Sequence, residues 1–273
     1  MLRTQYAILC SLVFVSALSQ AQPTRSLKSS LELQMPQGDG SNGASVVWHP
    51  GQKKYYAAFA GNVSYPLTVF DASGKRISED DLTTGFDVRG MWYDASNKSI
   101  CGNAYADGGL YKLALNAKGI PNSSDNFIKE ALQPHENAVG FIVPPLEAVC
   151  FLTGQELLIY KVDEAKTEET IRLYVGKKDK SEVKEEDNEF DLYSMPDHYN
   201  AVSAVFTEKT KAEFGLLNFT DKQIELYDAK SGLMTQILKL PDDVLVPERF
   251  NFAFANGLYW LFDKENRKWV GYK

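Results

Sequence analysis

Three cysteines in 273 residues are too few to staple a fold. Cys10 sits inside an N-terminal apolar run, so only Cys101 and Cys150 remain beyond it, which excludes a disulfide framework. No apolar stretch is long enough for a membrane span; Tyr6 to Leu18 is too short and wrongly flanked. Basic side chains do not dominate either, at 29 against 36 acidic. That balance argues against a nucleic acid or an anionic membrane as partner. The sequence also has no Gly-rich phosphate loop, no Gly-x-Ser-x-Gly elbow and no zinc motif.

What the first 21 residues do have is the form of a leader. Arg3 gives a short basic start, the apolar run follows, and Ser19-Gln20-Ala21 offers the small residues that a signal peptidase reads. Residues 1–21 are therefore read as a signal peptide and residues 22–273 as one exported domain, secreted or periplasmic. Without Arg3 that domain has 28 basic and 36 acidic side chains, a formal charge of −8 that favours a soluble monomer.

The organising feature is a repeat. Pro134-His135-Glu136-Asn137-Ala138-Val139-Gly140 returns 63 positions later as Asp197-His198-Tyr199-Asn200-Ala201-Val202-Ser203. Self-similarity at such a period marks one supersecondary unit used several times. Short apolar strands starting near residues 44, 88, 138, 201 and 250 each open a set of further strands, with turn chemistry between them. The second strand of each set includes Ser99 to Tyr105 and Ala148 to Leu152, which puts Cys101 and Cys150 on neighbouring units and leaves a bond between them open.

The last set, Phe250 to Ala255, Leu258 to Phe262 and Lys268 to Tyr272, stops one strand short. The fourth strand of other sets ends at Leu132-Gln133-Pro134, Met195-Pro196 or Leu240-Pro241, and Leu33-Gln34-Met35-Pro36 has the same ending. Ser30 to Pro36 is thus expected to complete the last set. This predicts an all-β protein, a β-propeller of four-stranded antiparallel blades whose N-terminal strand closes the C-terminal blade.

Five blades is the count. A sixth stays open, because Thr170 to Val175 with Glu189 to Tyr193 could form a degenerate one. A loop insertion is expected over about residues 163–187, charged at nine of the eleven positions from Lys177 to Asp187. The remaining fourth strands are expected at Lys75 to Ser78 and near Phe127 to Leu132.

In such a fold the loops entering each first strand surround one mouth of the central channel. Alignment on Trp48, Trp92 and Phe206 brings Asn42, Asp87, Asn137, Asn200 and Asn251 there, with His135, His198 and Arg249 two positions earlier and Glu136 between. His135, Glu136, Asn137, His198, Asn200 and Arg249 are the candidate ligand-binding residues. Two readings compete. A polar ring could hold a small molecule or a cation, since carboxylate and amide oxygens suit Ca²⁺ and imidazole suits a softer metal or proton transfer. Equally, Asn and Asp could end each loop by bonding nearby backbone. Trp48 and Trp92 read as hairpin ends whose indoles pack between blades.

The unit of apolar strand, Trp-x-Pro or Trp-x-Asp turn, aromatic strand and Val-Phe-Asp-Ala-Ser-Gly-Lys or Glu-Leu-Tyr-Asp-Ala-Lys-Ser-Gly resembles secreted β-propellers of the NHL, YncE-like and gluconolactonase-like kind. The resemblance implies an exported module that binds a small molecule or an extracytoplasmic protein at the channel mouth, with no cofactor. Its alternative is a lactonase-like hydrolase using Ca²⁺ or another divalent cation, for which Asp87, Glu136, Asn137 and Asn200 are the matching residue types.

Overall fold

The second strands of this protein are apolar on both faces, and that decides how the sheets pack. Lys54-Tyr-Tyr-Ala-Ala-Phe-Ala60 is buried at every position but the first, as expected for a strand covered from both sides rather than one with a wet face. A computed structural model, describing residues 23–131, 133–163, 166–183 and 194–273, shows the cover to be neighbouring blades. The leader read over residues 1–21 lies outside the described residues. No described helix is long and apolar enough to cross a membrane.

Twenty strands among the described residues build five blades. The first two, β1 (Thr24–Ser26) and β2 (Ser29–Gln34), belong to blades formed at the far end of the chain. Blade one holds β3 (Asn42–His49), β4 (Lys54–Ala60) and β5 (Leu67–Asp71). Blade two holds β6 (Val88–Asp94), β7 (Ser99–Ala104), β8 (Leu110–Leu115) and β9 (Pro121–Ile128). Blade three holds β10 (Phe141–Val143), β11 (Ala148–Thr153), β12 (Glu156–Lys161) and β13 (Lys166–Arg172). Blade four holds β14 (Tyr199–Phe206), β15 (Phe214–Asn218), β16 (Gln223–Tyr227) and β17 (Met234–Lys239). Blade five holds β18 (Phe252–Ala255), β19 (Leu258–Asp263) and β20 (Lys268–Tyr272).

The expected closure is present. β2 runs antiparallel to β20, with Leu33 opposite Trp269 and Gln34 opposite Lys268. Arg267 holds the following loop by donating to the carbonyls of Pro36, Asp39 and Gly40. One strand was not expected at all: β1 pairs parallel with β17, adding a fifth strand to blade four.

Three fourth-strand assignments change. β13 falls inside the segment read as an insertion, and it accounts for Thr170 to Arg172, so the described part of the proposed sixth blade completes blade three instead. Glu189 to Tyr193 lies outside the described residues, as do residues 184–187 of the charged run. In blade two, β9 begins directly after the Asn116–Gly119 turn, not near Phe127. Blade one has no regular fourth strand. Residues 75–83 run along β5 through isolated bridges at Phe70–Arg76 and Pro66–Thr83, helped by Ile77 N donating to Val69 O.

Burial is divided into five clusters, each lying between two adjacent blades. Leu33 and Met35 of the N-terminal segment join Tyr55 and Phe59 of blade one and Trp260 and Trp269 of blade five in one of them. Trp269 packs so closely on Gly43 that a Cβ there would lie 2.3 Å from the indole. Cys101 and Cys150 occupy second strands, β7 and β11, as expected, but fall in different clusters as free, buried thiols.

The closure gives a direct test. Leu33 is fully buried, so Leu33→Ala should cost about 2–5 kcal/mol. Glu32, its neighbour, pairs with Lys268 at the surface and is half exposed, so Glu32→Ala should cost under about 1 kcal/mol. Urea unfolding of both variants measures the contrast; equal, small losses would mean that β2 does not seal blade five.

Candidate functional site

At the channel end where the chain enters each first strand, the repeated asparagines are mostly consumed by the backbone. Asn200 is fully buried. Its carboxamide oxygen accepts from Val202 N at 3.3 Å and Ser203 N at 3.1 Å, while its Nδ2 donates to the carbonyls of Pro247 and Phe250. Asn251, equally buried, accepts from Gly43 N at 2.6 Å and donates to Arg249 O. These bonds tie blade four to blade five and blade five to blade one. Asn103 on β7, which the sequence reading overlooked, does the same for blades two and three by accepting from Gly140 N and donating to Ala138 O.

Asp87, Glu136 and Asn137 form one partly exposed cluster with Arg89 and Tyr105. Arg89, buried along its length, spans the carboxylate of Asp87 and donates through Nε to Asn137 Oδ1 at 3.0 Å. Its guanidinium lies 4.5 Å above the Tyr105 ring. The Tyr105 hydroxyl donates to Glu136 at 2.6 Å, and Asn137 Nδ2 donates to the other oxygen of Glu136. His135 is half buried nearby, its imidazole held below the ordinary value by burial, with the charge of Arg249 adding to the effect. His198 is exposed against the Tyr199 ring, and Arg249 is exposed as well.

This arrangement does not fit a divalent cation. A guanidinium already neutralises Asp87 and takes the Asn137 oxygen that a metal would need, and Asn200 is saturated elsewhere. No three His, Cys, Asp or Glu side chains among the described residues are grouped to hold a metal ion. Asp87, Glu136, Asn137 and Asn200 therefore do not form one ligand set.

The opposite end of the channel is different. A cavity of about 480 Å³ runs between the first strands of all five blades toward the hairpins that follow them. None of the mouth residues just described lines it. Its collar is aromatic and apolar: Trp48, Trp92, Tyr93, Phe141, Phe206 and Phe254. The Trp48 ring stands 4.5 Å from Tyr55, which in turn meets Trp260 edge-on at 5.3 Å, so the collar is braced by the core. Glu208 is the one charged residue in the lining.

The cavity continues outward as a groove of about 690 Å³ between blades two and three, sharing Trp92, Tyr93, Ala95, Ile142 and Pro144 with it. His49 supports this side. Its Nδ1 accepts from Gln52 N at 3.2 Å, so the proton lies on Nε2, which donates to Lys98 O at 3.1 Å. Its ring packs 4.8 Å from that of Tyr93, and burial keeps the imidazole below its ordinary value. Sequence had offered a signal for the collar, namely Trp48, Trp92 and Phe206 at matching places; the indoles were read as packing between blades, which Trp48 and Trp92 do while also touching the cavity.

Neither thiol supplies a nucleophile. Burial pushes both Cys101 and Cys150 up to about 12, so each stays protonated at neutral pH. Glu225, also unforeseen, is a fully buried carboxylate that accepts from Tyr199, Tyr227, Asn218 and Gln223. Tyr227 accepts in turn from Gly176 N, so this network pins the chain after β13 onto blade four. It borders no cavity described above.

Fold and channel together define a five-bladed β-propeller. No family model matches the sequence, and no curated protein matches it. Among solved structures the chain is similar to a glutaminyl cyclase of Myxococcus xanthus, at 9% identity and a TM-score of 0.55, over 93% of this chain and 98% of that one. It also aligns with a streptogramin B lyase at 12% identity and a TM-score of 0.40, over 86% of this chain and 65% of the other. A third match, to a nidogen/laminin complex, has 8% identity and a TM-score of 0.44, over 75% and 66%. At these identities the likeness is one of fold.

The two asparagines of the repeat should now behave differently. Asn200→Ala leaves buried backbone groups without partners and should cost about 1–3 kcal/mol, whereas the half-buried Asn137→Ala should cost less than half of that. Denaturant unfolding of each variant would show the split, and an unaffected Asn200→Ala would restore that residue as a binding group.

A pH effect also follows from the depressed imidazoles. The unfolded chain binds protons near the ordinary value of 6.5 while folded His49 and His135 resist them. Stability is then full above that value and falls as pH drops from it through the lower folded values. Melting curves from pH 8 to 5 should decline below about pH 6.5, and His49→Gln should flatten part of the decline. A flat wild-type profile would contradict the sign.

Proposed function

We propose that the chain is a binding module whose ligand enters the channel from the hairpin end and seats an apolar or aromatic group inside the collar. The observation that supports this reading most is the cavity itself: about 480 Å³, shared by all five blades, with aromatic walls braced from behind. Pockets of this size and lining suit small organic molecules or a single inserted side chain. Burial of apolar surface would drive the binding at about 25 cal/mol per Å². The site differs from the polar mouth that the sequence pointed to, where the asparagines are already bonded to neighbouring protein groups. Export by the leader of residues 1–21 would place such a module outside the cytoplasm, and the partner it meets there would be a small molecule or an exposed apolar side chain.

The four tryptophans make a built-in test. Trp48 and Trp92 touch the cavity, Trp92 from within the core between blades two and three, while Trp260 and Trp269 are fully buried away from it. Titration with an aromatic fragment such as indole should shift the indole N–H resonances of Trp48 and Trp92 and leave those of Trp260 and Trp269 in place. Trp48→Ala should weaken binding at least about fivefold, a loss of roughly 1 kcal/mol, the scale of one aromatic contact. Asn137→Ala should leave binding unchanged. The converse, loss with Asn137→Ala and none with Trp48→Ala, would move the site to the polar mouth.

A further inference from the structure

We infer that the ligand of this channel is an organic cation, an ammonium head carried on an apolar or aromatic body; the inference rests on the proposed reading of the cavity as the binding site. The charges around the cavity are one-sided. Its lining holds no basic residue and one acidic one, Glu208. Glu208 is exposed at the rim, immediately after β14, and no hydrogen bond or ion pair engages its carboxylate among the described residues.

The groove that continues from the cavity repeats the sign. It carries Asp125, Glu147 and Asp163, none of them ion-paired among the described residues, against Lys112 alone. Asp94 is also there, but its oxygens are taken by Ser96 and Asn97 of its own turn. The basic groups of the channel, Arg89 and Arg249, belong to the other end and line neither space.

Aromatic walls and a free carboxylate act on charge in the same direction. The face of a Trp, Tyr or Phe ring carries negative electrostatic potential and attracts a cation within about 6 Å of its centre. An anion would meet the same faces and Glu208 unfavourably. A neutral molecule would gain only the burial of its apolar surface. The acidic groove adds longer-range steering that depends on ionic strength. An ammonium ion on a phenyl-sized body suits both features of the lining: its body would meet the apolar wall, and its head would lie between the rings and Glu208.

Three probes with one body separate the possibilities: 2-phenylethylammonium, 2-phenylethanol and 3-phenylpropanoate, titrated against the full chain and followed on the Trp48 and Trp92 indole resonances. The cation should bind about tenfold more tightly than the alcohol, within the range of a cation–π contact reinforced by a carboxylate, and the anion least. Glu208→Gln should weaken the cation toward the alcohol and leave the alcohol unchanged, and added salt should weaken the cation alone. If the alcohol matches the cation, or Glu208→Gln changes neither, the charge preference is wrong while the cavity reading survives. If none of the three moves Trp48 or Trp92, the cavity reading falls and the cation with it.

Discussion

Everything in this structure depends on one constraint: a blade cannot bury itself. Each sheet has two apolar faces, and each face finds cover only on the neighbouring blade. The five hydrophobic clusters accordingly sit between blades, and none lies within one. Such a ring is stable only when complete, because an open ring leaves two apolar faces in water and a row of unpaired strand edges. The seal is made by β2 on β20, by Leu33 and Met35 in the shared cluster, and by Arg267 on the loop beyond. Buried asparagines reinforce the same joints, passing from one blade to the entry of the next.

Those joints explain why the two ends of the channel differ chemically. Where first strands begin, backbone groups of incoming loops must find partners away from water, and Asn103, Asn200 and Asn251 supply them. Where first strands end in hairpins, the turns satisfy their own backbone. Asp94 bonding Ser96 and Asn97 is one case, and His49 bonding Gln52 is another. Side chains there are released from that duty, and several large apolar rings line the cavity. Polar closure at one end and an apolar opening at the other are two results of the same strand polarity.

The sequence showed most of the fold, but it pointed to the polar mouth and not to the collar proposed above, for related reasons. Inner strands were legible because they are buried on both faces, so β4, β11 and β19 stand out as apolar runs between turns. The outer strands β9 (Pro-Asn-Ser-Ser-Asp-Asn-Phe-Ile) and β13 (Lys-Thr-Glu-Glu-Thr-Ile-Arg) were not, since much of each faces water and no burial imposes a pattern. β1 has no apolar side chain at all and pairs through its backbone with β17. The repeated Asn was visible, but a carboxamide that caps a loop and one that meets a ligand are the same group in sequence. Burial separates them, and burial is a property of the folded ring. The aromatic collar was visible too, at Trp48, Trp92 and Phe206, yet which strand end opens onto the channel is set only when five blades converge.

The path of β1 and β2 has a consequence for the order of events along the chain. β1 is the outermost strand of blade four and β2 the outermost strand of blade five, only two residues apart. The earliest described residues therefore form a strap across the two blades made last. Blades one to three can assemble from local hairpins, but neither β1 nor β2 has a partner until Met234–Lys239 and Lys268–Tyr272 exist. Pairings that join sequence so distant form slowly and late. During that interval the N-terminal segment is an unpaired strand and blade one has an uncovered face, the state in which a propeller of this kind is most exposed to aggregation and to capture by another molecule.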